Sequence, residues 1–454
     1  KIDLKNLDYK TKNLYLKNYL PNFKGSILLK DHNIILNYSK KDFFITGKGN
    51  YFFDKNEDQI NYNVKLSNND YEFESEIQFN NNPLLIKILD YSKVENKNSS
   101  LKFKGIYKKN KSLFLKKVLF QESKNQILIE ELSLNEKFKV NYVKNLELDI
   151  LNSNKKLNKI SFKKIKKNYE VIGKIFDASI IIDEILEGDS NNEELSIFNN
   201  LNTNIIVKID KTFIDKISYI NNLRGSINFN KNKINELKLE SFFSNNRKIN
   251  LTIIKNENDE KVTTLFSDYP RPLVKRYKFI KGFEDGVLDF QSIKKNNVSR
   301  SELRIDNFKV KEVPVLAKLL SLASLQGIAD LLTGEGIRFT DFEMIFSNKN
   351  KTMTIDEIYA IGPAISIMMS GYIQNNDLIS LRGTLVPART INRTIASIPL
   401  IGDILIGKKV GEGVFGVSFK IKGPPKDLKT TVNPIKTLTP RFITRTLEKL
   451  KKTN

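Results

Sequence analysis

The sequence predicts a mainly β protein built on an antiparallel sheet, and three observations support this prediction. Short runs alternate between apolar and polar residues, and in residues 71–79 the odd positions are mostly apolar and every even position is polar. That two-residue period is typical of a strand with one buried and one solvent-facing side. Clusters of Asn, Lys, Asp and Ser, such as residues 67–70, separate the runs and favour turns. No convincing helical crossover lies between the runs, so neighbouring strands should be antiparallel.

The first of two predicted domains, residues 1–300, is a repetitive series of such strands, spaced about 8–12 residues apart. In residues 71–79, alternation directs Glu72, Glu74, Glu76 and Gln78 towards solvent. The positions expected on the apolar side of this and other strands are Tyr62, Val64, Leu66, Tyr71, Phe73, Ile77, Phe79, Leu146, Leu148 and Ile150.

The second predicted domain, residues 301–454, contains more than half of the glycines and two thirds of the prolines. A helix is predicted over residues 313–332, with Pro314 in its first turn and Gly334 after its end. This helix is apolar nearly all round, which core packing and membrane contact both explain. Further short helices are predicted at 389–406 and 441–451, and strands at 337–346, 352–361, 366–374, 378–385 and 414–422.

The residue inventory argues against an enzyme. The chain of 454 residues has no cysteine and one histidine, His32. The absence of cysteine excludes disulfides, zinc–thiolate sites and cysteine nucleophiles, and a single histidine makes Ser-His catalysis very hard to build. His32 lies in the turn-like cluster 30–33, which predicts a surface side chain. We therefore expect no catalytic residue, no metal site and no cofactor.

The charge is strongly positive, with 75 Lys and Arg against 52 Asp and Glu. Abundant Lys, Asn and Ile indicate an AT-rich coding sequence, so most lysines are expected on a solvated face. Attraction to an anionic membrane or to nucleic acid is the alternative. The lysine-dense stretch 155–167 could indicate nucleic acid, but no known nucleic-acid-binding module accompanies it, so nucleic acid is not an expected partner.

Two short motifs imitate ligand sites without their required context. Residues 411–416 match GxGxxG, but an alternating strand-like run follows instead of a helix, so a turn is expected there. Residues 54–58 imitate the start of a calcium loop, but Gln59 and Lys65 occupy the positions of the required Gly and Glu. A solvated hairpin turn is expected.

No membrane-spanning helix is expected within the sequence, because the longest charge-free apolar run, 319–329, is far shorter than the ~18–20 residues of a span. The chain begins at Lys1 without a methionine, so an upstream segment is expected to have been removed.

The C-terminal third contains a specific series of motifs in a fixed order. They are residues 303–308, 313–320, 324–331, 334–339, 362–364, 371–373, 382–388, 391–392, 398–402, 411–416 and 432–434. This series resembles the C-terminal domain of AsmA-like proteins. Segments 173–179 and 283–289 resemble further landmarks of that family, so the resemblance covers roughly residues 170–445. One departure is Pro440-Arg441, where the family has proline–glycine.

The resemblance implies an envelope protein in the periplasm of Gram-negative-type bacteria, anchored in the inner membrane through an N-terminal helix absent from this chain. It implies an elongated, twisted antiparallel sheet curled into an apolar groove that carries phospholipid between the inner and outer membranes. The expected partners are phospholipids, bacterial membranes and envelope proteins. The ten apolar positions named above would line the groove.

The resemblance also suggests that the apolar helix contacts the membrane at the groove mouth. The leucines expected to make this contact are Leu316, Leu319, Leu320, Leu322 and Leu325. A structural or adhesive periplasmic β-protein with a closed sandwich core stays open as the alternative function.

Overall fold

The computed structural model describes residues 1–10, 14–39, 42–67, 70–108, 112–182, 200–275, 281–311, 313–322, 334–375, 377–387, 416–425 and 427–435. The chain divides into two compact units, Lys1–Ser244 and Asn245–Asn454.

The first unit is an antiparallel sheet in which strands that follow one another in sequence also lie side by side. The hairpin of β6 and β7 leaves the sheet, so β5 pairs with β8. The strands are β1 (Ile2–Lys10), β2 (Ser26–Tyr38), β3 (Asp42–Phe53), β4 (Asn56–Ser67), β5 (Asp70–Gln78), β6 (Leu84–Ile86), β7 (Tyr91–Lys93), β8 (Ser99–Lys108), β9 (Ser112–Glu122), β10 (Asn125–Asn135), β11 (Val140–Leu151), β12 (Leu157–Ile165), β13 (Asn168–Asp177), β14 (Thr203–Phe213), β15 (Tyr219–Asn230) and β16 (Lys233–Phe242). Short 3-10 turns lie at Leu14–Asn18 and Lys87–Leu89.

One pair in the first unit corrects the expectation of a wholly antiparallel sheet. Strands β13 and β14 are parallel, with Tyr169 opposite Ile205 and Asp177 opposite Phe213. A parallel pair requires the chain to travel back along the strand before it re-enters the sheet, which takes about a dozen residues or more. Residues 178–202 provide that length.

The alternating direction of the strands sorts the turns of the first unit to two ends of the sheet. One end carries the turns at 54–55, 123–124 and 152–156 and the segment between β5 and β8; we call it the covered end. The opposite end carries the turns at 136–139 and 166–167 and the turn at 231–232. This sorting decides which loops are neighbours in space.

The second unit is a second run of antiparallel strands with two short helices. Its strands are β17 (Lys248–Lys255), β18 (Lys261–Ser267), β19 (Lys281–Lys295), β20 (Val298–Lys311), β21 (Ile337–Lys349), β22 (Thr352–Ile361), β23 (Ile365–Gln374), β24 (Leu378–Pro387), β25 (Gly416–Gly423) and β26 (Lys429–Ile435), and its helices are α1 (Arg271–Val274) and α2 (Pro314–Leu322). Buried side chains of both helices join the strand residues Phe308, Ile337 and Ile365 in one hydrophobic core.

The mainly β class, the predominance of antiparallel pairing and the scarcity of helices are confirmed, and β21 to β25 follow the strands predicted between 337 and 422. Helix α2 begins as expected, and its predicted continuation beyond Leu322 lies outside the described residues. The same is true of the helices predicted at 389–406 and 441–451 and of nearly all of the GxGxxG motif. No helix in the described part of the chain is long and apolar enough to cross a membrane.

The predicted domain boundary at residues 300 and 301 lies within β20, whereas the compact units divide between Ser244 and Asn245. The predicted boundary rests on composition and motif content, and a division at that position stays a prediction.

Candidate functional site

One face of the first unit's sheet carries apolar residues in continuous register from strand to strand. Each residue of this apolar row lies directly opposite the next, from β4 to β14, and such cross-strand pairs stabilise a sheet. Its members are Tyr62, Ser75, Phe103, Val118, Ile129, Leu146, Phe162, Val171 and Val207. The one polar member, Ser75, donates a hydrogen bond to the carbonyl of Asn61 at 3.0 Å. We call this side of the sheet the apolar face.

The apolar face is partly exposed along much of its length. In the row, Ser75 and Val207 are buried, and the other members keep part of their surface accessible. Towards the end opposite the covered end, Val64 faces Phe73 and Leu66 faces Tyr71, and these four are partly exposed as well. A filled core buries such side chains, so the face offers apolar surface to a further occupant.

Contacts between aromatic rings on neighbouring strands stabilise the exposed part of the face. The rings of Phe73 and Phe103 meet edge to face at 5.9 Å, and those of Tyr71 and Tyr107 lie 6.2 Å apart. Rings at these separations attract one another beyond the area they bury.

Glycines on β3 make room for large side chains from both neighbouring strands. A Cβ atom on Gly47 would occupy the position of the Tyr62 ring, and one on Gly49 would occupy that of the His32 imidazole. The apolar face therefore depends on these two glycines.

Residues 80–98, which we call the covering segment, lie over the apolar face at the covered end. Leu84 packs against two buried clusters, one containing Phe53 and Phe79 and the next containing Phe120 and Leu148. Leu89 packs against the second of these and against the cluster of Phe176, Val207 and Ile209. The covering segment thus closes one end of the face and leaves the opposite end open within the described residues.

A buried carboxylate fixes the start of the covering segment. Asp58 on β4 is 4% exposed. Its oxygens accept hydrogen bonds from the backbone N–H groups of Asn80, Asn81 and Asn82 at 3.0–3.1 Å. The side-chain amide of Asn82 adds a further bond at 2.9 Å. Charge-assisted bonds to a buried carboxylate are strong, so these groups hold the segment in place.

A buried lysine on β7 ties the hairpin to the start of the covering segment. The Lys93 ammonium donates to the carbonyls of Asn80 and Asn82 at 2.9 and 2.7 Å, and burial lowers its pKa. The Tyr91 hydroxyl donates to Glu122 at 2.8 Å, and burial raises the pKa of this phenol. The hairpin is therefore locked by polar contacts as well as by packing.

The other side of the sheet carries cross-strand ion pairs, beside exposed apolar residues such as Ile172 and Ile206. They include Lys102 with Glu76 at 3.1 Å, Lys208 with Glu170 at 2.8 Å and Arg224 with Asp210 at 3.0 Å. Surface pairs of this kind contribute little stability. They place charged side chains on this side of the sheet, whereas the apolar row has none.

The ten residues predicted to line a groove share the apolar face but occupy two environments. Those that are partly exposed are Tyr62, Val64, Leu66, Tyr71, Phe73, Ile77 and Leu146. Phe79, Leu148 and Ile150 are buried in clusters against which the covering segment packs. Only the first group therefore has accessible apolar surface, and its role as the lining of a groove stays a prediction.

Three of the five leucines predicted to contact a membrane are buried inside the protein. Leu316, Leu319 and Leu320 are buried in the core of the second unit, with Leu320 fully inaccessible. We therefore assign these three side chains to core packing, since membrane contact would require α2 to undock. For Leu322 and Leu325 the membrane contact stays a prediction, because the structure does not describe their side chains.

Sequence reasoning missed the two polar groups that organise this site. His32, expected on the surface, is 1% exposed on β2, and Asp58, expected in a solvated turn, is buried on β4. The left-handed backbone of Asp31, with φ of 52°, forms the irregularity that turns His32 inward. A polar cluster interrupting an otherwise apolar run was the available sign of such a bulge.

In the described part of the chain, no three His, Asp or Glu side chains are arranged to hold a metal ion. No protein-family model matches the sequence, and a search of curated proteins finds no match either.

Proposed function

We propose that this protein is a non-enzymatic carrier of phospholipid, in which the apolar face of the first unit forms a groove that shields acyl chains. The observation that supports this most directly is the part of the apolar row from Phe103 to Val171, in which every member is apolar, partly exposed and directly opposite the next. Removing an acyl chain from water is worth about 0.8 kcal/mol per methylene, and an unbroken apolar path retains that gain along its length. The resemblance to AsmA-like proteins agrees with this function.

In this proposal the covering segment ends the lipid path at one side. Acyl chains would lie on the open part of the face, across Phe73, Tyr71 and Tyr107. Carriage between the inner and outer membranes of a bacterial envelope, and a periplasmic location, belong to the same proposal and rest on the family resemblance alone.

The proposal is tested by a photo-crosslinking residue placed in cells at adjacent positions of β5. At Phe73 the probe should capture phospholipid, whereas at Glu72, on the polar side, it should capture none. Phe79 is a second control, since it lies on the same face but is buried against the covering segment.

Capture at Phe73 and Glu72 to the same extent would refute the lipid path on this strand. Capture at neither position would favour the alternative, a structural protein whose apolar face is closed by other protein.

A further inference from the structure

The end of the first unit opposite the covered end gathers lysines that are distant in sequence. The turns β10–β11, β12–β13 and β15–β16 all lie there, because each joins a strand that arrives at that end to one that leaves it. Between residues 136 and 139, at 166–167 and at 231–233 these turns carry six lysines and one carboxylate, Glu136. Neighbouring strands lie ~4.8 Å apart, and five such spacings separate the first of these turns from the last. The turns therefore extend over about 24 Å at this end of the sheet.

The lysines of these turns are directed to solvent. Lys137, Lys166, Lys167, Lys231 and Lys233 are exposed, and none of them forms a salt bridge within the described residues. On the polar side of the sheet, by contrast, lysines such as Lys102 and Lys208 face carboxylates across the strands. We call the five lysines the basic rim.

An exposed aromatic side chain stands among the basic rim. Phe138 is 48% exposed, at the tip of the β10–β11 turn beside Lys137. Its backbone is left-handed, with φ of 57°, and its N–H donates to the carbonyl of Asn135 at 2.9 Å. That conformation suits Gly or Asn and is costly for a bulky residue. A half-exposed phenyl ring at a strained backbone position points to a use outside the fold.

A cavity lies where this turn meets the apolar face. Phe138 and Lys137 line it together with Tyr107 and Leu113, and its volume is about 350 Å³. Tyr107 and Leu113 belong to the partly exposed end of the apolar face. At Lys137 the basic rim thus meets that face through an open, mixed polar and apolar space.

We propose that the basic rim and Phe138 dock the first unit on an anionic membrane surface, with the lysines on lipid phosphates and the phenyl ring in the headgroup region. Lysines near an anionic bilayer are each attracted appreciably, and an aromatic ring among them anchors at the interface. This inference concerns where the protein meets a membrane and does not require that it carries lipid.

The test measures binding of the full chain to phosphatidylcholine vesicles with and without phosphatidylglycerol. The rim variant neutralises Lys137, Lys166, Lys167 and Lys231 to Gln. Its matched control neutralises four exposed lysines in turns at the covered end, which are Lys55, Lys124, Lys155 and Lys216. A strand of ten residues spans about 33 Å, several Debye lengths at physiological salt, so the two ends act separately.

The rim variant should bind phosphatidylglycerol vesicles on the order of 100-fold more weakly, and the covered-end variant should bind them like the unchanged protein. The difference should shrink at high salt. Equal losses in the two variants, or equal binding to vesicles without phosphatidylglycerol, would overturn the proposal.

Phe138→Asn separates docking from folding. Because Asn tolerates a left-handed backbone, this variant should keep or raise the melting temperature while binding vesicles about 10-fold more weakly. Its control, Ile217→Asn, alters a 71% exposed side chain at the covered end and should leave binding unchanged. Undiminished binding by Phe138→Asn would refute the aromatic anchor. A short DNA duplex bound more tightly than the vesicles would assign the basic rim to nucleic acid instead.

Discussion

The Tyr62 hydroxyl lies 3.2 Å from Nδ1 of His32 and joins β4 to β2 across the strand between them. The Nε2 atom of His32 donates to the carbonyl of Asn50 at 2.9 Å, because a carbonyl oxygen only accepts, and Nδ1 is the ring atom that faces the Tyr62 hydroxyl. The two rings meet over Gly47 and Gly49 of β3. Both polar ends are satisfied, so the pair can lie on an apolar face without an unpaired group. Burial raises the pKa of the Tyr62 phenol.

Gly49→Ala should destabilise the protein by about 1–3 kcal/mol, because the new Cβ atom displaces the His32 ring from a packed site. Lys48→Ala, next to it on the polar side, is the control and should change stability by less than about 0.5 kcal/mol. Urea unfolding measures both. In the double variant His32→Ala/Gly49→Ala the loss should be smaller than the sum of the single losses, since the missing ring leaves room. Additive losses would contradict the arrangement.

The sequence alone predicts the strands well where alternation is uninterrupted. β5 at Asp70–Gln78 is the clearest case, with Glu72 and Glu74 exposed and Tyr71 and Phe73 partly buried opposite Leu66 and Val64. Local pattern suffices there because the two-residue period fixes both the strand and its sides.

The features that the sequence did not predict depend on backbone geometry or on contacts with distant residues, which alternation does not encode. The bulge at Asp31 reverses the side to which His32 points. The parallel pairing of β13 with β14 depends on where a long connection brings the chain back. Residues 80–83, Asn-Asn-Asn-Pro, have the composition of a turn, and their attachment to Asp58 is formed across the fold.

Asp58→Ala should destabilise the protein by about 3 kcal/mol, because it leaves the buried N–H groups of the covering segment without an acceptor. Hydrogen exchange should accelerate selectively in Leu84–Ile86 and Tyr91–Lys93, which mark the covering segment. Asp54→Asn removes the exposed charge that faces Lys24, suits the left-handed backbone at this position (φ of 57°) and should cost less than about 1 kcal/mol. If exchange in the covering segment were the same in both variants, Asp58 would not be its anchor.

Stability should fall as the pH rises above 10. Burial, reinforced by the Asp58 carboxylate, raises the pKa of Tyr51 above its ordinary value of 10.0. The unfolded chain then releases this proton before the folded chain does, so the contribution of Tyr51 is complete below pH 10 and is lost above it. Burial lowers the pKa of Lys93, so the contribution of Lys93 to stability increases as the pH rises towards its ordinary value of 10.5. This increase opposes the loss caused by Tyr51, and the effect of Tyr51 is therefore measured by comparing variants.

Tyr51→Phe should therefore show a shallower loss of stability above pH 10 than the unchanged protein, by urea unfolding at successive pH values. Tyr38→Phe, at a 76% exposed position, should follow the unchanged protein. Parallel curves for Tyr51→Phe and the unchanged protein would contradict the assignment.

A new carboxylate should destabilise the covered part of the apolar face more than its open part. The two variants that test this are Phe53→Asp and Phe73→Asp. Phe53 is 7% exposed and packs against Tyr51 at 5.0 Å and Phe79 at 6.4 Å between ring centres. A carboxylate there has neither water nor a partner, so Phe53→Asp should unfold the first unit or cost more than about 3 kcal/mol. Phe73 is partly exposed, and a carboxylate at that position can reach solvent.

Phe73→Asp should thus cost about 1–2 kcal/mol, chiefly from the lost contact with Phe103, while it abolishes binding of a fluorescent fatty-acyl probe. Calorimetry and probe titration on the same sample distinguish these effects. Phe73→Ala is the matched control and should retain most of the binding, because it adds no charge to the acyl path. If Phe73→Asp were as unstable as Phe53→Asp, both phenyl rings would belong to one closed core, and the apolar face would have no room for lipid.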